Sequence, residues 1–303
     1  MTDPFGSSIG AATRYCAVWG HPVRHSASPA MHNAGLAALG LDWRYLAFDV
    51  RPEDLPAALS GAKAMRLLGL NLTLPHKLLA LPLMDALDES ARQCGAVNTV
   101  RFEGRQPGGP WRPLGEWTDP PPEVRAHGFN TDAEALVRAL TVELGLSLAG
   151  ASILLLGAGG AGRTAALKLA AEQAARLFLV NRTRAKAEAL AREIQDRYPQ
   201  ARALVGYPTG PVDLVLNATS LGLSPDEPSP LDERQFRLRD ARAVYDMIYR
   251  PAETALLNSA RAAGCRAANG LGMLLHQGAK ALELWTGRPA PTAVLRRALE
   301  QNL

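Results

Sequence analysis

The chain has 303 residues, a hydrophobic fraction of 47%, a charged fraction of 20% and a net charge of +4. That length gives two domains room for their own cores, and the composition excludes a disordered or membrane-spanning chain. The mildly basic balance suits anionic small molecules, but the arginines are dispersed and form no block, which argues against nucleic acid as a partner.

The N-terminal stretch MTDPFGSSIGAATRY has no charged run followed by an apolar one, so neither a secretion leader nor a membrane partner is expected. Strand and helix patterns then alternate. Strands are expected at Tyr15–Trp19, Arg44–Val50, Leu68–Leu74 and Ala96–Phe102, and helices at Pro29–Leu39, Pro52–Gly61 and Leu78–Leu87. Such spacing predicts βα units around a mostly parallel sheet. The segment Glu103–His127 breaks the pattern with six Pro, four Gly and two Trp, and reads as a long loop or irregular hairpin. An amphipathic helix follows at Asp132–Leu144. A second series then runs through strand Ile153–Leu156, helix Gly162–Gln173, strand Leu177–Val180, helix Ala185–Tyr198, and strands Val212–Leu216 and Ala243–Met247. Helices Leu271–Trp285 and Pro291–Leu299 close the chain, and no fixed-period repeat is present.

Cys16, Cys94 and Cys265 lie far apart and form neither a CxxC pair nor a zinc spacing. Inert thiols in a reducing cytoplasm are expected, with no metal.

The run Gly69-Leu-Asn-Leu-Thr-Leu-Pro-His-Lys77 is an apolar alternation that stops at a proline, with a lysine two residues beyond. Of the 33 basic residues only five are lysines, so this chain fills basic positions with arginine by habit. Lysine can pass a proton near neutral pH and arginine cannot. Lys77 is therefore a candidate general acid or base at a strand end.

Strand Ile153–Leu156 runs directly into Gly157-Ala158-Gly159-Gly160-Ala161-Gly162, and a helix pattern follows. This is G-x-G-x-x-G in strand–turn–helix context. Gly157 permits the tight turn, Gly159 lets backbone approach a pyrophosphate, and Gly162 allows close helix–strand packing. The next strand ends in Asn181-Arg182-Thr183-Arg184, with Lys186 beyond. The carboxylate that takes ribose hydroxyls in an NAD site is missing, and three cations suit a 2′-phosphate instead. NADP(H) is the expected cofactor.

Ser28 before Pro29 reads as an N-cap with proline at the first helical position. That does not account for a second hydroxyl at Ser26. Two hydroxyls at a helix N-terminus can hold a small carboxylate.

With these segments together, the chain resembles the shikimate dehydrogenase family. The matching stretches are VWGHPVRHSASPAMHN, GLNLTLPHK, CGAVNTV, GFNTD, LLLGAGGAG, NRTRAKA, LNATSLG, YDMIY and NGLGMLLHQGA, in family order from Val18 to Ala279. The resemblance implies an α/β chain of two domains. Residues 1–131, completed by 270–303, would form an N-terminal βαβ substrate domain with a mostly parallel sheet. Residues 132–269 would form a Rossmann-like NADP-binding domain. It implies a catalytic pair of Lys77 and Asp132. Substrate would be held by Ser26, Ser28, Asn71, Thr73, Asn98, Tyr249 and Gln277. Gly157, Ala158, Gly159, Gly160, Ala161, Asn181, Arg182, Thr183, Arg184, Lys186, Thr219, Met247 and Gly270 would contact the cofactor. The implied reaction is reversible NADPH-dependent reduction of 3-dehydroshikimate to shikimate by a cytoplasmic monomer or homodimer. The rivals are a quinate/shikimate dehydrogenase of broader choice and a non-catalytic ligand-binding regulator on the same fold. Three departures stand out: Ala133 and Ala135 replace customary glycines, Leu223 replaces a common methionine, and Glu103–His127 is longer than usual. That segment either covers the site or decorates the surface, and decoration is the favoured reading.

Overall fold

The computed structural model describes residues 9–302 except 120 and 225; the first eight, part of the stretch read for a leader, lie outside the described residues. The chain divides into two compact units, Met1–Thr131 with Leu275–Leu303, and Asp132–Leu274.

The first unit opens with β1 (Arg14–Gly20), α1 (Ser28–Ala38), β2 (Trp43–Asp49), a 3-10 turn leading into α2 (Leu55–Ala64), and β3 (Gly69–Leu72). It continues with α3 (His76–Leu79), β4 (Ala86–Leu87), α4 (Glu89–Cys94), β5 (Thr99–Arg105), β6 (Arg112–Pro113) and β7 (Glu123–Phe129). The sheet order is β2-β1-β3-β5-β7-β4, with β6 beside β5. β1 pairs in parallel with β2 and β3, and β4 with β7, whereas β5 is antiparallel to β3, β6 and β7. The sheet is thus mixed, its reversed strand lying between β3 and β7. β1 and β3 are buried along nearly their whole length, as inner strands covered on both faces must be.

The expected helix Leu78–Leu87 does not form. α3 is a single turn, a 3-10 turn spans Leu81–Leu83, and β4 follows. Pro82 explains the break, because it lacks an N–H and restricts the residue before it. α4 is an addition to the expected elements, although its signals flank it: Asp88 accepts from the Ser90 N–H at 3.0 Å, and Gly95 closes it at φ 61°. The strand expected at Ala96–Phe102 begins only at Thr99.

Glu103–His127 is a hairpin with an elaborated tip, since β5 and β7 pair from Thr99↔Phe129 to Arg105↔Glu123. Leu114 is 1% exposed, and the Arg14 guanidinium donates to the carbonyls of Leu114 and Trp117. Trp111 receives Arg105 and Arg125 at 4.4 and 4.5 Å from its ring. Arg14 begins β1, so this packing lies at the opposite end of the sheet from Gly20. The segment packs against that end of the sheet.

The second unit holds α5 (Asp132–Leu144), β8 (Ser152–Leu156), α6 (Gly160–Ala171), β9 (Arg176–Val180), α7 (Arg184–Arg197), β10 (Arg202–Val205), β11 (Val212–Asn217), β12 (Ala241–Asp246), α8 (Ala255–Ala262) and β13 (Arg266–Asn269). The sheet is parallel throughout, in the order β10-β9-β8-β11-β12-β13. In chain order that is 3-2-1-4-5-6, the dinucleotide-binding arrangement, with its switch point between β8 and β11. Its core is aliphatic on both sheet faces, with Ile153 and Leu155 on one side and Leu154 and Leu156 on the other. β10, α8 and β13 lack a clear sequence signal because each is short and β10 and β13 begin with arginine. α9 (Leu271–Thr286) and α10 (Thr292–Glu300) end the chain. In the first unit, a Cβ added at Gly35 would fall 2.5 Å from Leu295, so this glycine lets α1 and α10 pack closely.

Candidate functional site

At the ends of β1 and β3, backbone bonds bring two sequence motifs together. The Thr73 N–H donates to the Trp19 carbonyl at 2.9 Å, and the His21 N–H to the Leu74 carbonyl at 3.0 Å. A Cβ at Gly20 would lie 2.4 Å from the Thr73 methyl, so the junction requires glycine. The loop bearing Ser26 and Ser28 is thereby fixed against the segment bearing Thr73 and Lys77.

Ser28 is the first residue of α1 rather than its N-cap; Ala27 holds the cap position and no side chain caps the helix there. The correction has a physical reason. The Ser28 N–H donates instead to Ser26 Oγ at 3.3 Å. That bond uses the Ser26 oxygen and leaves its hydrogen for an acceptor, at a helix end where an anion is favoured.

Lys77 is half-buried in α3, and its carbonyl accepts from the Val97 N–H at 2.8 Å, next to Asn98. The preceding His76 is buried and gives its Nε2–H to the Val50 carbonyl at 2.8 Å. Burial lowers its pKa, so it is read as a neutral brace for α3.

Beside Lys77 lies a buried polar knot. Asn71 Nδ2 donates to Thr99 Oγ1 at 3.0 Å and to the Asn98 carbonyl at 3.3 Å. Asn98 Oδ1 accepts from the Thr131 N–H at 2.7 Å, and Asn98 Nδ2 donates to Thr131 Oγ1 at 3.0 Å. Asn71, Asn98, Thr99 and Thr131 are all buried, and their mutual bonds satisfy groups that would otherwise be costly there. Thr99 and Thr131 are additions to the residues expected from sequence; the repeated Asn-Thr pairs were the available signal. Asp132, the first residue of α5, follows Thr131 directly and is half-buried. Ala133 and Ala135 are buried in that first turn, so their methyls are accommodated. Gln277 is buried on α9 within the first unit.

In the second unit, β8 ends at Leu156 and Gly157 turns with φ 106°. A Cβ at Gly162 would lie 2.1 Å from the Gly157 carbonyl oxygen, so α6 meets the strand closely only with glycine there. Gly159 and Gly160 have nothing within 4 Å of an added Cβ, and with Ala161 they are exposed at the start of α6. The turn therefore offers open backbone at a helix N-terminus and fits a dinucleotide pyrophosphate.

Asn181 braces this turn rather than standing free. Its Oδ1 accepts from the Ala158 N–H at 2.9 Å, and its Nδ2 donates to the Thr183 carbonyl at 2.8 Å. Arg182, Thr183, Arg184 and Lys186 are exposed, and Arg184 pairs with Glu188 at 2.8 Å. Across the switch point, Thr219 gives its hydroxyl hydrogen to Asn217 Oδ1 at 2.7 Å, and Asn217 Nδ2 donates to the buried Asp246 at 2.9 Å. Asp246 also accepts from the Ile248 N–H and the Thr254 hydroxyl. Burial raises its pKa, and these three donors oppose the rise. Asn217 and Asp246 lie in the LNATSLG and YDMIY stretches but are not among the expected site residues, yet they anchor the loop that meets Gly157, where an added Cβ would lie 3.0 Å from Thr219. Gly270 packs as tightly against Met247, its Cβ position lying 2.1 Å from the Met247 carbonyl oxygen. Tyr249, in the loop after β12, is half-buried, and burial raises its phenol pKa. Leu223 is exposed.

Among the described residues no cluster of three or more His, Cys, Asp or Glu could hold a metal, and no helix is long and apolar enough to cross a membrane. The three cysteines are buried free thiols.

Known proteins match all these segments. Residues 18–100 match the shikimate dehydrogenase substrate binding domain, 139–221 the shikimate / quinate 5-dehydrogenase family, and 270–300 the shikimate 5′-dehydrogenase C-terminal domain. The shikimate dehydrogenase (NADP(+)) of Methanopyrus kandleri is 40% identical, over 98% of each chain. A shikimate dehydrogenase solved in complex with NADP+ superposes with a TM-score of 0.85 at 36% identity, over 99% of each chain. The shikimate 5-dehydrogenase of Thermus thermophilus, solved with NADP(H) and shikimate, superposes with a TM-score of 0.79 at 37% identity, over 96% of this chain and 100% of that one.

Proposed function

The chain belongs to the shikimate dehydrogenase family, and from that premise we propose that it catalyses the reversible NADPH-dependent reduction of 3-dehydroshikimate to shikimate, in the biosynthesis of aromatic amino acids. The observation that carries the reading is the fixed neighbourhood of Lys77, held by backbone bonds beside the Ser26–Ser28 loop and the Asn71–Asn98 knot.

Bound NADPH supplies the hydride. The protein's task is to position the ketone, hold developing negative charge and supply a proton. Lys77 Nζ carries both charge and proton, so it stabilises the alkoxide and protonates it; in the reverse direction it accepts the hydroxyl proton. Asp132 is assigned as its partner at the same hydroxyl. Ser26 and Ser28 take the carboxylate with Tyr249 assisting, and Asn71, Thr73, Asn98 and Gln277 hold the ring hydroxyls. The glycine turn would take the pyrophosphate, and Arg182, Arg184 and Lys186 the 2′-phosphate. Thr219, Met247 and Gly270 would border the nicotinamide side. The buried free thiols support a cytoplasmic enzyme, acting as a monomer or homodimer.

A spectrophotometric assay pairing shikimate and quinate each with NADP and NAD tests this. Rapid turnover of shikimate with NADP is expected. Preference for quinate, or for NAD, would replace it with the broader quinate/shikimate reading, and no turnover with any pair would favour a ligand-binding regulator.

A further inference from the structure

Tyr45, on β2, belongs to none of the motifs above, yet it is bonded to one of the assigned substrate residues. It is 1% exposed, and its ring stacks on His32 with centroids 4.2 Å apart and planes at 13°. Trp285 tilts against both rings, at 5.3 Å from His32 and 6.0 Å from Tyr45. His32 is fully buried, and neither of its ring nitrogens has a hydrogen-bond partner. Burial pushes its pKa down to about 3, so it is a neutral aromatic plate at physiological pH.

The Tyr45 hydroxyl donates to Asn71 Oδ1 at 2.7 Å. Asn71 Nδ2 faces the Asn98 carbonyl, which can only accept, so the amide has a single orientation. Both Asn71 amide hydrogens are already engaged. What Asn71 can offer a ligand is its remaining oxygen lone pair, so it can accept from a ring hydroxyl but not donate to one.

We propose that Tyr45 is a positioning residue for the substrate, fixing the Asn71 amide in the orientation that leaves it only the acceptor role. The proposal rests on the function assigned above. The stacked His32 and the tilted Trp285 keep the phenol in place.

The test is Tyr45→Phe, which keeps the stack and removes the hydroxyl. The measurements are kcat, KM for shikimate, KM for NADP and the thermal midpoint, in wild type, Tyr45→Phe, Asn71→Ala and the double variant. One lost hydrogen bond that strands a buried acceptor predicts a roughly 3- to 30-fold rise in KM for shikimate. KM for NADP and kcat should stay within about twofold. Because Tyr45 acts through Asn71, Tyr45→Phe should add little in the Asn71→Ala background. An unchanged KM for shikimate, fully multiplicative effects in the double variant, or a uniform loss of all parameters with a lowered midpoint would each overturn the proposal. Wild-type protein that turns over shikimate while Tyr45→Phe matches it defeats this inference alone. Wild-type protein with no shikimate turnover defeats the assigned function and this inference with it.

Discussion

β8 ends in a turn that presents backbone, whereas the end of β3 and the start of β5 present side chains. At the first, Gly157 to Gly162 form a surface defined by missing side chains, where an added methyl at Gly162 would strike the Gly157 carbonyl oxygen. At the second, Asn71, Asn98, Thr99 and Thr131 bond to one another out of contact with water. The sheets differ for a related reason. An all-parallel sheet gathers its strand ends and helix N-termini on one edge, which suits a phosphate group common to many ligands. A reversed strand such as β5 brings its start, Thr99, beside the end of β3, and so sets polar side chains from both strands against one another. On the proposed function, the backbone site would recognise what cofactors share, and the side-chain site what one substrate owns.

The largest break in this comparison is at Lys77. Lys77→Ala removes the proposed proton donor without touching the glycine turn. kcat should fall by roughly 10²- to 10⁴-fold, with KM for shikimate and NADP changed much less, the pattern of a group acting in the transition state. Steady-state kinetics decide it: a near-normal kcat with a greatly raised KM would make Lys77 a binding residue.

The next effect concerns stability, at the sheet end remote from Gly20. Glu103 is 1% exposed and faces Arg101, Arg125 and His127. Burial alone would raise its pKa, but the bonds and charges of these three partners outweigh it and hold the carboxyl at about 2. Against about 4.3 in an unfolded chain, that contributes on the order of 3 kcal/mol at neutral pH. A folded pKa below the unfolded one means the contribution is complete above the unfolded value and lost as pH falls from there toward 2. Glu103→Gln should therefore lower the thermal midpoint at pH 7, and its midpoint should fall less steeply than wild type between about pH 5 and 2. Turnover per folded molecule at pH 7 should be unaltered. Parallel midpoint curves would remove Glu103 from the acid sensitivity of the fold.

Glu103 also marks where sequence legibility ends. In the sequence it looks like the start of a loop, because prolines and glycines follow it within a few residues. The carboxylate is in fact in mid-strand, and only cross-strand register reveals that Arg101, Arg125 and His127 converge on it. The glycine turn is legible because one short run carries both the conformational need and the helix that follows. Lys77 is legible because it breaks the habit of an arginine-rich chain. The Tyr45–Asn71 bond is not, since it joins residues 26 apart in sequence on strands separated by β1. At Leu78–Leu87 the leucine spacing suggests a helix that Pro82 forbids, and α4 is hidden by its shortness although Asp88 and Gly95 flank it. In each case the local pattern is sound and tertiary register decides.

A smaller effect isolates the backbone site. Gly162→Ala places a methyl 2.1 Å from the Gly157 carbonyl oxygen, and neither backbone can yield without opening the turn. Overpacking of this kind costs about 1–3 kcal/mol, which corresponds to a roughly 5- to 150-fold weaker fit if it is expressed in cofactor binding. KM for NADP should rise by that order while shikimate affinity, titrated without cofactor, is preserved. Equal loss of both would show that the two sites do not divide as described.

The smallest effect sharpens the comparison within the cofactor site, where side chains choose between dinucleotides that share a pyrophosphate. Asn181 is committed to the Ala158 N–H and the Thr183 carbonyl, so Asn181→Ala should weaken NAD and NADP alike. Arg184 already shares its charge with Glu188. That leaves Arg182 and Lys186 as the cations best able to meet a 2′-phosphate, both exposed at the start of α7. Arg182→Ala should cost NADP roughly tenfold in kcat/KM, the loss of one charge-assisted contact, and leave NAD unchanged. Because the pairing is open to solvent, the wild-type preference for NADP should shrink as salt rises, and the variant should show a weaker salt dependence. The measurement is kcat/KM for both cofactors at low and high salt. An equal loss for NAD and NADP would make Arg182 a structural residue of the turn. Retention of full NADP preference would move the phosphate to Lys186, where the same substitution should then produce the tenfold loss.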